Sequence, residues 1–512
     1  MNNLPKRVHI IGIAGVATSA LAIAFHKAGV KVTGSDKGFF PPVSIELEKQ
    51  GIDFYAGWHP EKMSINGAPD LIVAGASGTS PSNPEILYAK ENKIPILSFA
   101  EAIGKFFVQK NSIVVAGTWG KTSSAALLSH ILLQADFDPS YMFGGISLSH
   151  ESAAHLGKSD WSVFEGDEYQ AAIWDKKAKF FYYKPSHLLL TAVSWDHADL
   201  YPTEKSYFEA FEKLVKGMPS GGFIVAHKGQ PGVEKTLATS KNKIVWYGRV
   251  VPTNNIEATS RRNPFFYERS EEKKSANRRS REKAEPSYSF DDIKQTKSGL
   301  NFKIKHQEKE FSIKSPMLGA FQAENITGCF AMAHELGVPT EKIIAAIASF
   351  KGMKRRLEKR LDGDLSKSGV TVFDDIAHSP EKAASVLREL RSIYTGKIIA
   401  VFEPNQGGRE RASATKYDHA FKDADTVIIP RLTKLKVAND QVSSINDQGR
   451  PMEGDELANV IGETQPSCTY EENDNKLVNF LLSQTKKGDC IVFLGSHGFR
   501  GMIEEVVKSL KS

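Results

Sequence analysis

Apolar positions along the chain fall into three blocks in which strand-like and helix-like spacings alternate. Residues 7–13, RVHIIGI, form a short apolar run that ends in a glycine turn; SALAIAFHKAG then carries apolar residues at helical intervals, and KVTGSD closes on an acid, Asp36. Strand, turn, helix and strand in that order predict a βαβ unit. DLIVAGA and IPILSFA predict a second unit behind it. A new apolar run, NSIVVA, enters the turn GTWGKT and continues as the helical pattern SSAALLSHIL. Two further strand-like runs, WSVFE and HLLLTAV, are each followed by a polar cluster, Glu165-Gly166-Asp167-Glu168 and Asp196-His197-Ala198-Asp199. From about residue 367, the runs VTVFDDIA, KIIAVFEP, DTVIIP and DCIVFLG alternate with helical patterns such as PEKAASVLRELRSI. The expectation is an α/β protein of three domains, 1–108, 109–348 and 349–512, the outer two Rossmann-like and the middle one a P-loop ATPase domain.

Composition sets limits on this picture. A chain of 512 residues is too long for one core, and an apolar fraction of 41% suits a globular protein. The net charge of +6 is small for this length and demands no nucleic-acid partner. Cys329, Cys468 and Cys490 lie far apart, with neither C-x-x-C nor metal-ligand spacing, which suits a reducing compartment. The N-terminus runs into a strand instead of a signal peptide, and no apolar run is long enough to span a bilayer; a cytoplasmic location without membrane insertion is expected. One stretch stands apart. Residues 261–283 carry nine Lys/Arg against four Glu and almost no apolar side chains outside residues 264–267, so a surface insertion is expected at about 252–290. Basic residues beside aromatics also suit a nucleic-acid contact, the lesser reading here.

The glycine turns carry the candidate chemistry. The first, G-I-A-G-V-A, has Gly12 and Gly15 but alanines at 14 and 17, so the dinucleotide fingerprint G-x-G-x-x-G is not met. What remains is a helix N-terminus able to hold a phosphate and an acid, Asp36, able to accept a sugar hydroxyl. The second turn has Val115 where G-x-x-x-x-G-K-[ST] begins with glycine, yet Gly117 and Gly120 allow close backbone approach to phosphate. Lys121 would neutralise β- and γ-phosphate charge and Thr122 would ligate magnesium. Strand ends of a parallel sheet face the ligand crevice, so Glu165 and His197 are expected to complete a magnesium site.

GTWGKT, EGDEY, WDHADLYP, LGAFQAENITG, GMKRRLEKR and VFDDIAHSP occur in the order that resembles the Mur ligases, ATP-dependent amide-forming enzymes of the bacterial cell wall. The resemblance covers nearly the whole chain. It implies three domains: one for a UDP-sugar, one for ATP, and a C-terminal α/β domain that binds the amine acceptor and closes over ATP. It implies ATP and Mg2+ as cofactors, with Gly117, Thr118, Gly120, Lys121, Thr122, Ser123, Asn325, Arg356 and Asp375 around the nucleotide and Thr122, Glu165 and His197 around the metal. Gly12, Gly15, Ser35, Asp36 and Asn83 would hold the UDP-sugar. Lys121, Glu165, His197, Arg356 and His378 would be the catalytic set, His378 orienting or deprotonating the amine unless it only packs.

The implied reaction joins UDP-N-acetylmuramate to an amine through an acyl phosphate, without a protein nucleophile. DEYQAAIWDKKAKFFYYKP, DHADLYP, GSDKGFFPP and GSHGFRGM resemble the branch that adds a recycled L-alanyl-γ-D-glutamyl-meso-diaminopimelate tripeptide, in peptidoglycan recycling; the L-alanine-adding branch is the alternative. Trp119, Gln170, Gln322 and Ser379 depart from the family pattern, and an inactive nucleotide-binding relative therefore also stays open. The resemblance is compatible with a monomer or weak dimer.

Overall fold

Val8, Ile10 and Ile11 are fully buried because the strand that carries them, β1 (Arg7–Ile11), lies in the middle of a sheet. The computed structural model describes residues 4–41, 43–65, 67–75, 80–150, 152–249, 285–433 and 451–511. Around β1 stand β2 (Lys31–Asp36), β3 (Asp53–Ala56), β4 (Leu71–Ala74) and β5 (Ile96–Ser98), all parallel, in the order β3-β2-β1-β4-β5. Strand order reverses direction at β1, so the loop at its C-terminal end opens on a crevice. That loop leads into the helix Val16–Lys27, which buries Leu21, Ile23 and Phe25.

A second sheet of ten strands follows. Its members are β6 (Asn111–Ala116), β7 (Ser140–Met142), β8 (Ala154–His155), β9 (Trp161–Gly166), β10 (His187–Leu190), β11 (Phe223–His227), β12 (Lys243–Arg249), β13 (Tyr288–Thr296), β14 (Gly299–His306) and β15 (Lys309–Ser315). The order is β15-β14-β13-β12-β11-β10-β6-β9-β7-β8. β6 runs parallel to both neighbours, β9 and β10, which brings the ends of three strands together. Val115, at the position of the missing glycine, is still inside β6, pairs with Glu165 and Leu189, and is fully buried. An apolar side chain is what that place in the core requires. The helix Lys121–Gln134 then buries every residue from Thr122 to Leu132.

The third sheet holds β16 (Glu358–Leu361), β17 (Thr371–Asp375), β18 (Ile398–Glu403), β19 (Thr426–Pro430), β20 (Cys468–Glu471) and β21 (Cys490–Gly495), in the order β16-β17-β21-β18-β19-β20. Only β16 is antiparallel to its neighbour. Ala400, Phe402, Val427, Val492 and Leu494 pack into one core, and Ile399, Val401, Ile428, Ile491 and Phe493 into another. Successive strand residues point to opposite faces, so continuous apolar runs mark a sheet covered on both sides.

The chain divides into two compact units. One holds residues 1–293, 301–315 and 321–351, and therefore the first sheet and most of the second; the other holds 294–300, 316–320 and 352–512, and with 294–300 the turn between β13 and β14. The surface insertion expected at about 252–290 needs a correction at its end. Tyr288, Ser289 and Phe290 already pair with Tyr247, Gly248 and Arg249 across β12 and β13, and Tyr288 and Phe290 are buried. The basic residues 261–283 lie outside the described residues.

Candidate functional site

The turn after β6 is shaped by its two glycines. Gly117 has φ 139°, and a Cβ there would come within 2.3 Å of Thr191 Oγ1 and 2.7 Å of the Ala192 carbonyl. Gly120, the N-cap of the helix Lys121–Gln134, has φ 80°. It provides no side-chain cap, and the first helical turn has no acid, the arrangement that an anion site at a helix start requires. Lys121 Nζ folds back to donate to the Gly117 carbonyl at 2.6 Å. Thr118 Oγ1 donates to the Ser194 carbonyl at 2.9 Å and meets Tyr207 Oη at 3.0 Å, which fixes the outer side of the turn. Ser123, one residue beyond Thr122, is buried in the first turn. Asn325, on the helix Gln322–Glu335, donates to Gln322 Oε1 at 3.0 Å and sets its own Oδ1 so close to Gly120 that a Cβ there would lie 2.6 Å away. Gln322 thus keeps an amide partner for Asn325 despite its departure from the family pattern.

The acids after β9 divide among different partners. Thr122 Oγ1 donates to Glu165 Oε1 at 2.7 Å, and the Gly144 N–H donates to Glu165 Oε2 at 2.5 Å. Asp167 accepts Lys179 Nζ at 2.6 Å; burial alone would raise its carboxyl, but Lys179 and the Tyr169 N–H hold it below the usual range. Glu168, with its side chain 0% exposed, accepts Lys121 Nζ at 2.9 and 3.2 Å and Tyr207 Oη at 3.1 Å. His197, in a left-handed backbone at φ 55°, places Nε2 3.7 Å from Glu168 Oε1.

The expected metal set therefore falls into two clusters, Thr122 with Glu165 and His197 with Glu168. Among the described residues, no group of three or more His, Cys, Asp or Glu gathers as a ligand set. Magnesium takes oxygen ligands and retains water and phosphate oxygens, so a hydroxyl and one carboxylate beside a phosphate loop fit that ion without a closed protein cage. Glu168 is the residue that the sequence reading passed over. It was visible there only as one acid among three.

At the first glycine turn, the Gly12 N–H donates to the Ser35 carbonyl at 2.8 Å and the Ala14 N–H to Asp36 Oδ2 at 2.9 Å. Gly15 caps the helix Val16–Lys27 with no side-chain bond and no acid in its first turn. Gly12, Gly15 and Asp36 are thus gathered at one loop. Ser35 and Asn83 are not presented with them. The Ser35 hydroxyl is fully buried and donates to Glu85 Oε2 at 2.5 Å, while Asn83 Oδ1 caps the helix Pro84–Glu91 by accepting the Glu85 N–H at 2.9 Å. For Ser35 the reason is Glu85, a fully buried carboxylate that also accepts Tyr55 Oη at 2.7 Å and the His59 N–H at 2.9 Å. Burial pushes its carboxyl up, but His9, Ser35 and Tyr55 together hold it below the ordinary value.

In the second unit the two arginines of GMKRRLEKR separate. Arg355 is anchored: Nε donates to Asp374 Oδ1 at 3.3 Å, and its other nitrogens bond the carbonyls of Gly495, Ser496 and His497. Arg356 is exposed. Asp375 ends β17, accepts the Leu357 N–H at 2.6 Å and the Ala377 N–H at 2.8 Å, and is pushed up to about 6 by burial, against those two bonds and the nearby Arg356. His378 Nδ1 lies 2.7 Å from the Ile376 carbonyl, an acceptor only, so Nδ1 carries the proton and Nε2 is left as a base. Burial, with Lys382 next, lowers the pKa of His378. Ser379 has a local task, capping the helix Pro380–Arg391 through the Lys382 N–H.

Parallel sheets in series, one opening on a phosphate loop with lysine and threonine at its helix start, define an α/β P-loop enzyme of the nucleotide-dependent class. The chain belongs to the Mur ligase family. Residues 7–111 match the Mur ligase family catalytic domain, 115–272 the Mur ligase middle domain and 355–497 the Mur ligase glutamate ligase domain. Among similar proteins, the UDP-N-acetylmuramate--L-alanyl-gamma-D-glutamyl-meso-2,6-diaminoheptandioate ligases of Haemophilus influenzae and Escherichia coli are 27% and 29% identical. These comparisons span 99% of both chains for the first and 98% of both for the second. A UDP-N-acetylmuramate--L-alanine ligase of Rhodopseudomonas palustris is 29% identical over 83% of each chain. The fold is shared with the solved UDP-N-acetylmuramate-alanine ligase of Thermotoga maritima, at TM-score 0.73 and 19% identity over 98% of each chain. It is shared also with a murein peptide ligase of Psychrobacter arcticus, at TM-score 0.65 and 23% identity over 99% of each. The chain is accordingly an ATP-dependent acid–amino-acid ligase. Among the described residues no helix is long and apolar enough to cross a membrane.

Proposed function

We propose that the protein joins the lactyl carboxylate of UDP-N-acetylmuramate to the α-amine of L-alanyl-γ-D-glutamyl-meso-diaminopimelate, consuming ATP and releasing ADP and phosphate. The observation that carries the reaction type is the turn 117–122: open helix amides, Lys121 within 2.6 Å of the turn's own carbonyl, and Thr122 bonded to Glu165. The acceptor is supported by the relatives that share 98–99% of their length with this chain.

Each residue has a definite part in this reading. Gly12, Gly15 and Asp36 hold the UDP-sugar, with Ser35 and Asn83 behind them as supports of the turn. Backbone amides of residues 117–123 and Lys121 cradle the ATP phosphates, Asn325 meets the adenine, and Arg356 and Asp375 serve the phosphates and ribose. Thr122 and Glu165, with His197 nearby, would hold Mg2+, which when bound offsets negative charge on the phosphates. The muramyl carboxylate oxygen attacks the γ-phosphorus, the bond to ADP breaks, and an acyl phosphate forms. Lys121 neutralises the charge that moves onto the departing oxygen. The acceptor amine then attacks the acyl carbon, its proton passes to His378 Nε2 as the base, and phosphate leaves. Binding and orientation supply most of the acceleration. Three free cysteines, two buried and one partly so, suit the reducing cytoplasm.

The second reading, addition of L-alanine, is favoured by the relatives of that name at 29% identity. Incubation with Mg2+, ATP and UDP-N-acetylmuramate, offering the tripeptide and L-alanine separately and weighing the products, decides between them. Product with tripeptide alone is expected; product with L-alanine alone overturns the acceptor assignment.

A further inference from the structure

We propose that Glu168 is a positioning residue for ligation: it holds the Lys121 ammonium in the phosphate turn and is the rival from which entering phosphates draw that ammonium. The inference rests on the reading of Lys121 as the phosphate lysine.

An ammonium has three hydrogens. In this structure Lys121 Nζ donates to the Gly117 carbonyl at 2.6 Å, to the two Glu168 oxygens at 2.9 and 3.2 Å and, at the longer distance of 3.4 Å, to the Thr118 carbonyl. Phosphate gains Lys121 by drawing it from these acceptors, and Glu168, the charged one among them, is the main rival. The other acids of the run have separate partners, Glu165 with Thr122 and Gly144, Asp167 with Lys179. Burying a carboxylate is costly unless it is paired, and the Glu168 side chain is wholly buried while that of Lys121 is 13% exposed. Its pairing is built from the turn itself: Tyr207 Oη bridges Glu168 Oε1 at 3.1 Å and Thr118 Oγ1 at 3.0 Å, and Tyr201 Oη donates to the Glu168 carbonyl at 2.6 Å. Turn, strand end and the helix Glu204–Lys216 thereby share one anchor. A lysine on a flexible four-carbon stem gains a fixed direction from that anchor.

Two consequences have opposite signs. Removing the Glu168 charge leaves Lys121 free for phosphate, so nucleotide binds more tightly; it also leaves the lysine undirected, so turnover falls. A residue that merely maintained the fold would weaken both.

The test uses the full chain as wild type, Glu168→Gln, Tyr207→Phe, Lys121→Met and the Glu168→Gln/Lys121→Met pair, with ADP affinity by calorimetry, kcat and KM for ATP from ADP release, and Tm. Glu168→Gln is expected to tighten ADP binding by roughly fivefold and to lower kcat by about tenfold or more. The binding gain should vanish when residue 121 is methionine, because Glu168 acts through Lys121. Tyr207→Phe, which keeps the buried pair, should shift both in the same directions by less, and it carries the test if Glu168→Gln does not fold. Weaker ADP binding in Glu168→Gln, an unchanged kcat, or the same gain in both backgrounds overturns the inference. Unchanged ADP affinity in Lys121→Met overturns the phosphate-lysine reading itself, a distinguishable failure.

Discussion

Gly120→Ala tests whether the phosphate turn depends on the geometry described for it. Gly120 sits at φ 80°, where an L side chain crowds its own backbone at a cost of about 1–2 kcal/mol. The new Cβ would also lie 2.6 Å from Asn325 Oδ1, so the Asn325 side chain must turn, and weakening its 3.0 Å bond to Gln322 adds up to about 1 kcal/mol. Gly229 is the control, with φ 91° but nothing within 4 Å of its Cβ position. Gly229→Ala should therefore incur the backbone cost alone. In urea unfolding, Gly120→Ala is expected to lose about 1 kcal/mol more than Gly229→Ala. In calorimetric titration with ADP, it should lose about tenfold or more in affinity because the leading amides of the helix turn away, while Gly229→Ala binds as the wild type does. Equal stability loss in the two variants, or wild-type ADP affinity in Gly120→Ala, would refute the reasoning.

Arg355→Ala should lower stability by about 2 kcal/mol, since it takes away one of the two arginines on buried Asp374, Arg360 remaining, and the donors to three carbonyls, whereas Arg356→Ala should stay within about 0.5 kcal/mol of wild type and lose about 100-fold in turnover. Urea midpoints and ADP-release rates read the contrast, and similar stabilities would contradict it. The raised pKa of Asp375 means that the folded chain binds more protons than the unfolded one between pH about 4 and 6. Stability is thus lost as pH rises through that window, by roughly 3 kcal/mol at this residue. Asp375→Asn should lack that component in unfolding at pH 4 and 7. His378, its pKa lowered by burial, should stay neutral below the pH at which an ordinary imidazole protonates. If it accepts the amine's proton, activity falls as His378 is protonated, so the acid-side limb of a kcat/KM profile lies below pH 6.5 and disappears in His378→Gln.

The phosphate turn was legible because local rules and the global fold agree there. An apolar strand, two glycines, a lysine and a helical pattern all point to one element, and Val115 is no obstacle because it belongs to the strand. The double-sided third sheet was legible for the same reason, from runs too apolar for a sheet with one wet face. Polar residues were harder. Ser35 and Asn83 looked like ligand groups, yet Asn83 caps its own helix through backbone N–H groups and Ser35 bonds the Glu85 carboxylate, a pairing that spans 50 positions that no local pattern connects. Glu168 differs from its neighbours through partners far along the chain, among them Tyr207, 39 residues on, and Lys121, 47 residues back. The end of the basic insertion was misread because Tyr288–Thr296 alternates partly buried and exposed residues only after an entirely buried start.

The central claim is ligation through an acyl phosphate. Its most direct test is to supply UDP-N-acetylmuramate with both lactyl carboxylate oxygens replaced by oxygen-18, together with Mg2+, ATP and the tripeptide, and to weigh the phosphate and the amide. The account predicts one heavy oxygen in each phosphate released and one retained in the amide carbonyl. Amide formed with unlabelled phosphate would contradict it.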